Sequence, residues 1–130
     1  MALLALAHQQ RVAVIMSSHD FTQTPSQQEI VSLLRQQQAM GADILKMAAM
    51  PNNTGDVLTM MAATWQMFSE YAERPLLTMS MGGKGALSRL SGELTGSALT
   101  FAMVGEASAP GQIAADKLHS ILALLHQQLS

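Results

Sequence analysis

Lys46 lies in the apolar run DILKMA, flanked by Leu45 and Met47. Burial there disfavours the ammonium form, lowers the pKa and leaves a neutral amine. Such an amine attacks a ketone to form an imine. Taken alone, Lys46 equally fits a strand lysine whose stem packs while its head snorkels to water. His19 closes an earlier apolar run, RVAVIMSS. An ordinary imidazole pKa of about 6.5 suits it to accept and return a proton; its other reading is a strand-end histidine bonded to backbone. Asp20 follows directly, but adjacent strand residues point to opposite faces, so it is not an obvious orienter of His19. Arg89 has the fork that clamps a carboxylate at two points, or it pairs with Glu93 four residues on. Ser108 and Gln112, in ASAPGQ, offer hydrogen bonds to a substrate; a loop or cap role is the alternative for Ser108. The residues gathered at the ends of successive strands weigh for the chemical reading of Lys46.

Other polar groups carry less. Gly82-Gly83-Lys84-Gly85 lacks the spacing of a phosphate-binding loop and reads as a mobile lid. His8, His119 and His126 fall on helical stretches away from any carboxylate cluster, so they read as surface or half-buried side chains and not as metal ligands. No metal or cofactor is expected.

These residues need a frame that delivers strand ends to one rim. The pattern predicts the end of a helix through Gln10, a strand over 11–18 buried on both faces, and a loop. A helix over 26–40 follows, opened by the capping box Ser26/Glu29 and striped by Ile30, Leu33 and Leu34; Gln36 to Gln38 reads as a polar run on its exposed face. A strand over 43–48 leads to a turn at 51–53 and a helix to about Tyr71, on which Trp65 and Phe68 are expected to pack against the sheet. A third strand spans 74–81 and a short helix 86–90. A fourth strand is expected over 97–104, a loop over 105–111 and a last helix over 113–128. Strand–helix alternation at this spacing implies a parallel sheet with right-handed crossovers. The fold class is therefore α/β: four parallel βα units, half of a TIM (β/α)8 barrel, in one partial barrel domain spanning residues 1–130. The chain opens inside a helix and not before a strand, and both features lead us to expect a preceding half.

Composition excludes several classes. Only 12% of the residues are charged and the net charge is -2, so no basic face invites nucleic acid. The absence of cysteine rules out a disulfide scaffold and fits a reducing compartment. No apolar run reaches the roughly 20 residues of a membrane span. A cytoplasmic protein is expected. The eleven methionines read as pliable core filler.

Four segments together carry a family resemblance: SSHDFTQTP, ADILKMAAMP, RPLLTMSMGGKGALSRLSGELTGSALTF and ASAPGQI. In this order and spacing the chain resembles the second half of type I 3-dehydroquinate dehydratase. The resemblance implies a lyase of the shikimate pathway acting on 3-dehydroquinate without a cofactor. Lys46 would form the imine at the C3 ketone, and His19 would remove the C2 proton and later protonate the leaving C1 hydroxyl. Arg89 would bind the carboxylate, Ser108 and Gln112 would bond the substrate from the closing loop, and Met81 would line the pocket. The family's first half supplies an E-x-R substrate motif and a glutamate that orients the histidine. Neither occurs here, so the isolated chain is expected to be weak or inactive unless it pairs with itself as a homodimer. The alternatives are an inactive remnant or association domain, and another aldolase-like Schiff-base enzyme.

Overall fold

The computed structural model describes residues 2–108 and 111–130. Helix α1 (Ala2–Gln9) leads into β1 (Ile15–Asp20), α2 (Gln27–Ala39), β2 (Ile44–Ala49), α3 (Thr54–Glu70) and β3 (Leu76–Ser80). A single 3-10 turn (Gly83–Gly85) precedes α4 (Ala86–Leu90), α5 (Gly92–Thr95) and α6 (Ala115–Leu129). The three strands form one parallel sheet in the order β1-β2-β3. This is the α/β architecture expected, with each crossover carried by a helix.

Local chemistry sets the boundaries. The Ser26 hydroxyl accepts the Glu29 N–H while the Glu29 carboxylate accepts the Ser26 N–H, closing the capping box; such a cap stabilises by about 1 kcal/mol. Gly41, at φ 97°, turns the chain out of α2 into the left-handed region that glycine tolerates. The Asn53 side chain caps α3 by accepting the Asp56 N–H.

Helices α2 and α3 cover one face of the sheet. Ile30, Val31 and Leu34 of α2 and Met60, Ala63 and Met67 of α3 meet Leu45, Met47, Ala49 and Leu76 in a single core cluster. Burying each large side chain in this way is worth roughly 1.5–3 kcal/mol. Two buried hydroxyls in this layer satisfy each other, Thr64 with Thr78 at 2.6 Å.

Several expectations are corrected. Strand β1 is not buried on both faces: exposure alternates along it, with Ile15, Ser17 and His19 open to solvent. It is a terminal strand of the sheet, and no helix covers that side of it. Trp65 and Phe68 are 53% and 52% exposed, because the sheet-facing stripe of α3 is Val57, Met60, Ala63, Thr64 and Met67, which leaves both rings on the flank. Gln37 is buried at 4% exposure, so the 36–38 run is not an exposed face. The Gly82–Gly85 segment is a 3-10 turn anchored at its end: the Ser88 hydroxyl donates to the Gly85 carbonyl at 2.6 Å and accepts the Ser80 N–H at 2.9 Å.

The fourth segment also departs from expectation. Residues 97–104 touch β3 through one parallel bridge, Leu76 with Ser97, and one backbone bond, Ala98 N–H to Leu76 carbonyl at 2.7 Å. The ladder stops there for a physical reason. The next donors on the β3 edge, Thr78 N–H and Ser80 N–H, are taken by the side-chain hydroxyls of Ser97 and Ser88. With the edge donors satisfied, nothing draws the backbone of 99–104 into register. A second bridge, Met103 with Ala114, closes the following loop; Ala109 and Pro110 of that loop lie outside the described residues, as does Met1 of the first helix.

Candidate active site

Parity places the candidate residues Lys46 and His19 on the face that the described helices leave uncovered. Ser17 is in register with Lys46, and His19 with Ala48. Alternation then puts Ser17, His19, Lys46 and Ala48 on one face, opposite the Leu45/Met47/Ala49 face that packs on α2 and α3. Lys46 and His19 stand on adjacent strands, two residues apart along the sheet. With strands about 4.8 Å apart and about 3.3 Å per residue, their Cα atoms are roughly 8 Å from each other, close enough for both side chains to reach one small molecule.

The Lys46 ammonium lies 4.6 Å from the centroid of the Phe101 ring. Burial lowers its pKa below the ordinary 10.5, the direction that favours a nucleophilic amine. The ring also gives the cation a favourable place while it is charged. Below and beside Lys46 the same face continues as Ala48, Leu77, Met79 and Met81, all buried in a second apolar cluster with Ile44 and Met50 at its border. Met81 thus lines the apolar floor next to the lysine strand.

His19 is exposed and stacks flat on Phe21, centroids 5.6 Å apart and planes 4° from parallel. Asp20 faces away, as parity requires. Its carboxylate accepts the N–H groups of Thr22 and Gln23 and the Thr22 hydroxyl. Those bonds, the Thr22 N–H foremost, hold its pKa below the ordinary carboxylate value. Asp20 therefore shapes the turn that carries Phe21, and not His19 itself. Thr24 then ties this loop to the end of β2 by donating to the Met50 carbonyl at 2.9 Å.

Arg89 is 3% exposed, and its Nε has no hydrogen-bond partner. It lines a cavity of about 350 Å3 with Ser97, Leu99 and Thr100. Among the described residues it has no ion pair, since Glu93 pairs instead with His126 at 2.6 Å. Burial lowers its pKa, yet a guanidinium stays charged at any neutral pH. A buried guanidinium with no ion partner among the described residues suits a carboxylate. Leu99 and Thr100 immediately precede Phe101, so the wall of the Arg89 cavity is continuous in sequence with the ring over Lys46.

Ser108 and Gln112 hold each other. The Gln112 Oε1 accepts the Ser108 N–H at 2.7 Å, and its Nε2 donates to the Ser108 hydroxyl at 3.0 Å. Gly111 brings this loop to the β3 end: at φ 80°, a Cβ there would come within 2.4 Å of the Gly82 carbonyl oxygen. Only glycine permits that approach. The loop thus meets the turn directly after Met81, but among the described residues no hydrogen bond joins Ser108 to Lys46 or His19.

Of the sequence candidates, Lys46, His19 and Met81 share one face, Arg89 lines a separate cavity with Glu93, Ser97 and Leu122, and Ser108 and Gln112 pair with each other in the last loop. Among the described residues no three potential ligands gather for a metal, and His8 pairs with Asp43 at 2.7 Å. Sequence reasoning missed Phe101, Phe21 and Gln37. Phe101 carried no signal beyond its place in a strand-like run. Gln37 did, because it continues the stripe Ile30, Leu33, Leu34 at helical spacing.

The chain is similar to known proteins over nearly its whole length. The family model for type I 3-dehydroquinase matches residues 1–129. A 3-dehydroquinate dehydratase of Bacillus licheniformis is 55% identical over 128 residues, 98% of this chain and 50% of the relative. One from Salmonella paratyphi B is 54% identical over 126 residues, again half its length. A crystal structure of type I 3-dehydroquinate dehydratase from Clostridium difficile, with covalently modified comenic acid, superposes with a TM-score of 0.94 at 52% identity, over 97% of this chain and 50% of that one. The Geobacillus kaustophilus 3-dehydroquinate dehydratase gives 0.93 at 39% identity, over 97% and 49%. The chain spans about half the length of the curated relatives it matches, and no described helix is long and apolar enough to cross a membrane.

Proposed function

Since the chain belongs to the type I 3-dehydroquinase family, we propose that it carries the imine-forming half of a dehydratase acting on 3-dehydroquinate. The observation that carries this reading is the shared face of Lys46 and His19, with the amine partly dehydrated beneath Phe101. In the proposed reaction the neutral Lys46 amine adds to the C3 ketone, and loss of water leaves an iminium. The iminium acts as an electron sink, so the neighbouring C2–H becomes acidic without a metal. His19 takes that proton, worth typically about 10²–10⁴-fold in rate, and returns it to the C1 hydroxyl as it departs as water. Hydrolysis of the imine then releases 3-dehydroshikimate and frees Lys46.

Arg89 is proposed to hold the substrate carboxylate. Ser108 and Gln112 would exchange their mutual bonds for bonds to substrate hydroxyls, and Met81 would line the apolar floor. Residues 1–130 would act as one partial barrel domain in the cytoplasm, a place that agrees with the cysteine-free composition. The open face and the terminal strand β1 support a homodimer, a second copy supplying cover.

The test is reductive trapping. Incubation with 3-dehydroquinate and borohydride should add one reduced substrate to Lys46, read by peptide mass. A protein that remains unmodified under these conditions would remove the reading. The absorbance of 3-dehydroshikimate then separates imine formation from turnover.

A further inference from the structure

Gln37 is the one glutamine buried on the sheet side of α2. Its carboxamide grips the main chain of Lys46 at two points. Oε1 accepts the Lys46 N–H at 3.0 Å, and Nε2 donates to the Lys46 carbonyl at 2.9 Å. The second Nε2 proton is within reach of the Ser18 hydroxyl at 3.2 Å. Because a main-chain N–H can only donate and a carbonyl can only accept, the backbone dictates which end of the amide is oxygen. The side chain thus copies the two-point pairing of a neighbouring peptide group.

The placement ties the grip to the chemistry. Gln37 approaches the sheet from the helix side, while the Lys46 amine leaves from the other side, so the two lie back to back across one strand. Ser18 immediately precedes His19. One buried amide therefore touches β1 and β2 at positions tied to both reacting side chains.

We propose that Gln37 is a positioning residue for Lys46, fixing the backbone point from which the amine reaches Phe101 and the open face. This rests on the reading of Lys46 as the imine-forming amine. No other side chain substitutes well. Asparagine is one methylene short, and glutamate would set an ionised oxygen against the Lys46 carbonyl. Methionine has the right length but leaves both backbone groups without the amide.

The test compares wild type with Gln37→Met. Competitive acetylation by acetic anhydride across pH reads the pKa and nucleophilicity of Lys46 without any substrate. Borohydride trapping with 3-dehydroquinate reads imine formation. In the folded variant the acetylation profile of Lys46 should move toward that of an ordinary lysine, and trapping should slow about tenfold, in keeping with the cost of small misplacements. A control, Thr64→Val, destabilises the same core layer without touching Lys46 and should leave both readouts at wild-type values. A folded Gln37→Met with an unchanged acetylation profile would overturn the proposal. If wild type gives no adduct but the acetylation profile still shifts in the variant, the substrate reading fails and the positioning role stands. Should Gln37→Met not fold, wild type alone decides by NMR: the Gln37 carboxamide protons should exchange slowly, and rapid exchange would overturn the grip.

Discussion

On the side of the sheet covered by α2 and α3, Leu45, Ala49 and Leu76 are almost without solvent contact. On the other side Ile15 is 46% exposed, Ser17 and His19 are open, and burial becomes complete only at Ala48, Leu77 and Met79. The same three strands thus present a finished wall and an unfinished one. Polar groups on the finished wall are paired within it, as Thr64 is with Thr78 and Gln37 with Lys46, and the buried Ser80 hydroxyl is the exception. The unfinished wall holds the groups with spare bonding capacity, an amine under a ring and an imidazole on a stack. The first wall carries the packed core and the second the candidate reactive groups, and Gln37 of the first wall bonds the main chain of Lys46.

Substitution separates the two. The largest effect should come from Lys46→Met: complete loss of the reduced adduct in the trapping assay, with thermal stability equal to or above wild type, since an apolar chain replaces a desolvated amine. A marked fall in melting temperature would show that the open face also supports the fold. Next is the contrast between Leu34→Ala and Ile15→Ala, both followed by urea unfolding. Leu34 is fully buried, so its truncation should cost about 2–5 kcal/mol. Ile15, half exposed, should cost no more than about 0.5 kcal/mol; equal losses would abolish the distinction between the walls.

The smallest effect is a pH dependence. Burial holds the Lys46 pKa below its ordinary 10.5. Below the native pKa both the folded and unfolded chains are protonated there, and the desolvation cost is fully present. Between the native pKa and 10.5 the unfolded chain binds more protons, so stability rises with pH. Wild type should therefore gain on Lys46→Met as the pH climbs toward 10.5, measured as the difference in unfolding midpoint. A difference that is flat or widens would contradict the shift.

Local signals were the readable part of this chain. Ser26 and Glu29 form their box within four residues, so the start of α2 could be found without tertiary context. The alternation around Lys46 marked its strand, but its relation to His19 required the register between strands, which no local pattern encodes. Gln37 was legible in principle, on the 30/33/34/37 stripe, and was obscured by flanking glutamines that suggested a solvated face. The failure over 97–104 has a different origin. Residues 97–104 have strand propensity, yet pairing depends on free edge groups, and Ser88 and Ser97 had already taken them. Trp65 and Phe68 were misplaced because aromatic character outweighed helical phase.

Those two serine hydroxyls would also bear on how copies of the chain could meet. A sheet with two open margins can recruit strands at both and grow without limit. Here two N–H donors of the β3 margin, those of Thr78 and Ser80, are taken by serine hydroxyls, whereas the β1 margin has no strand partner among the described residues. Two molecules that joined β1 to β1 would occupy each other's open margin, so assembly by this route would end at a closed twofold pair and would not run on into a fibre.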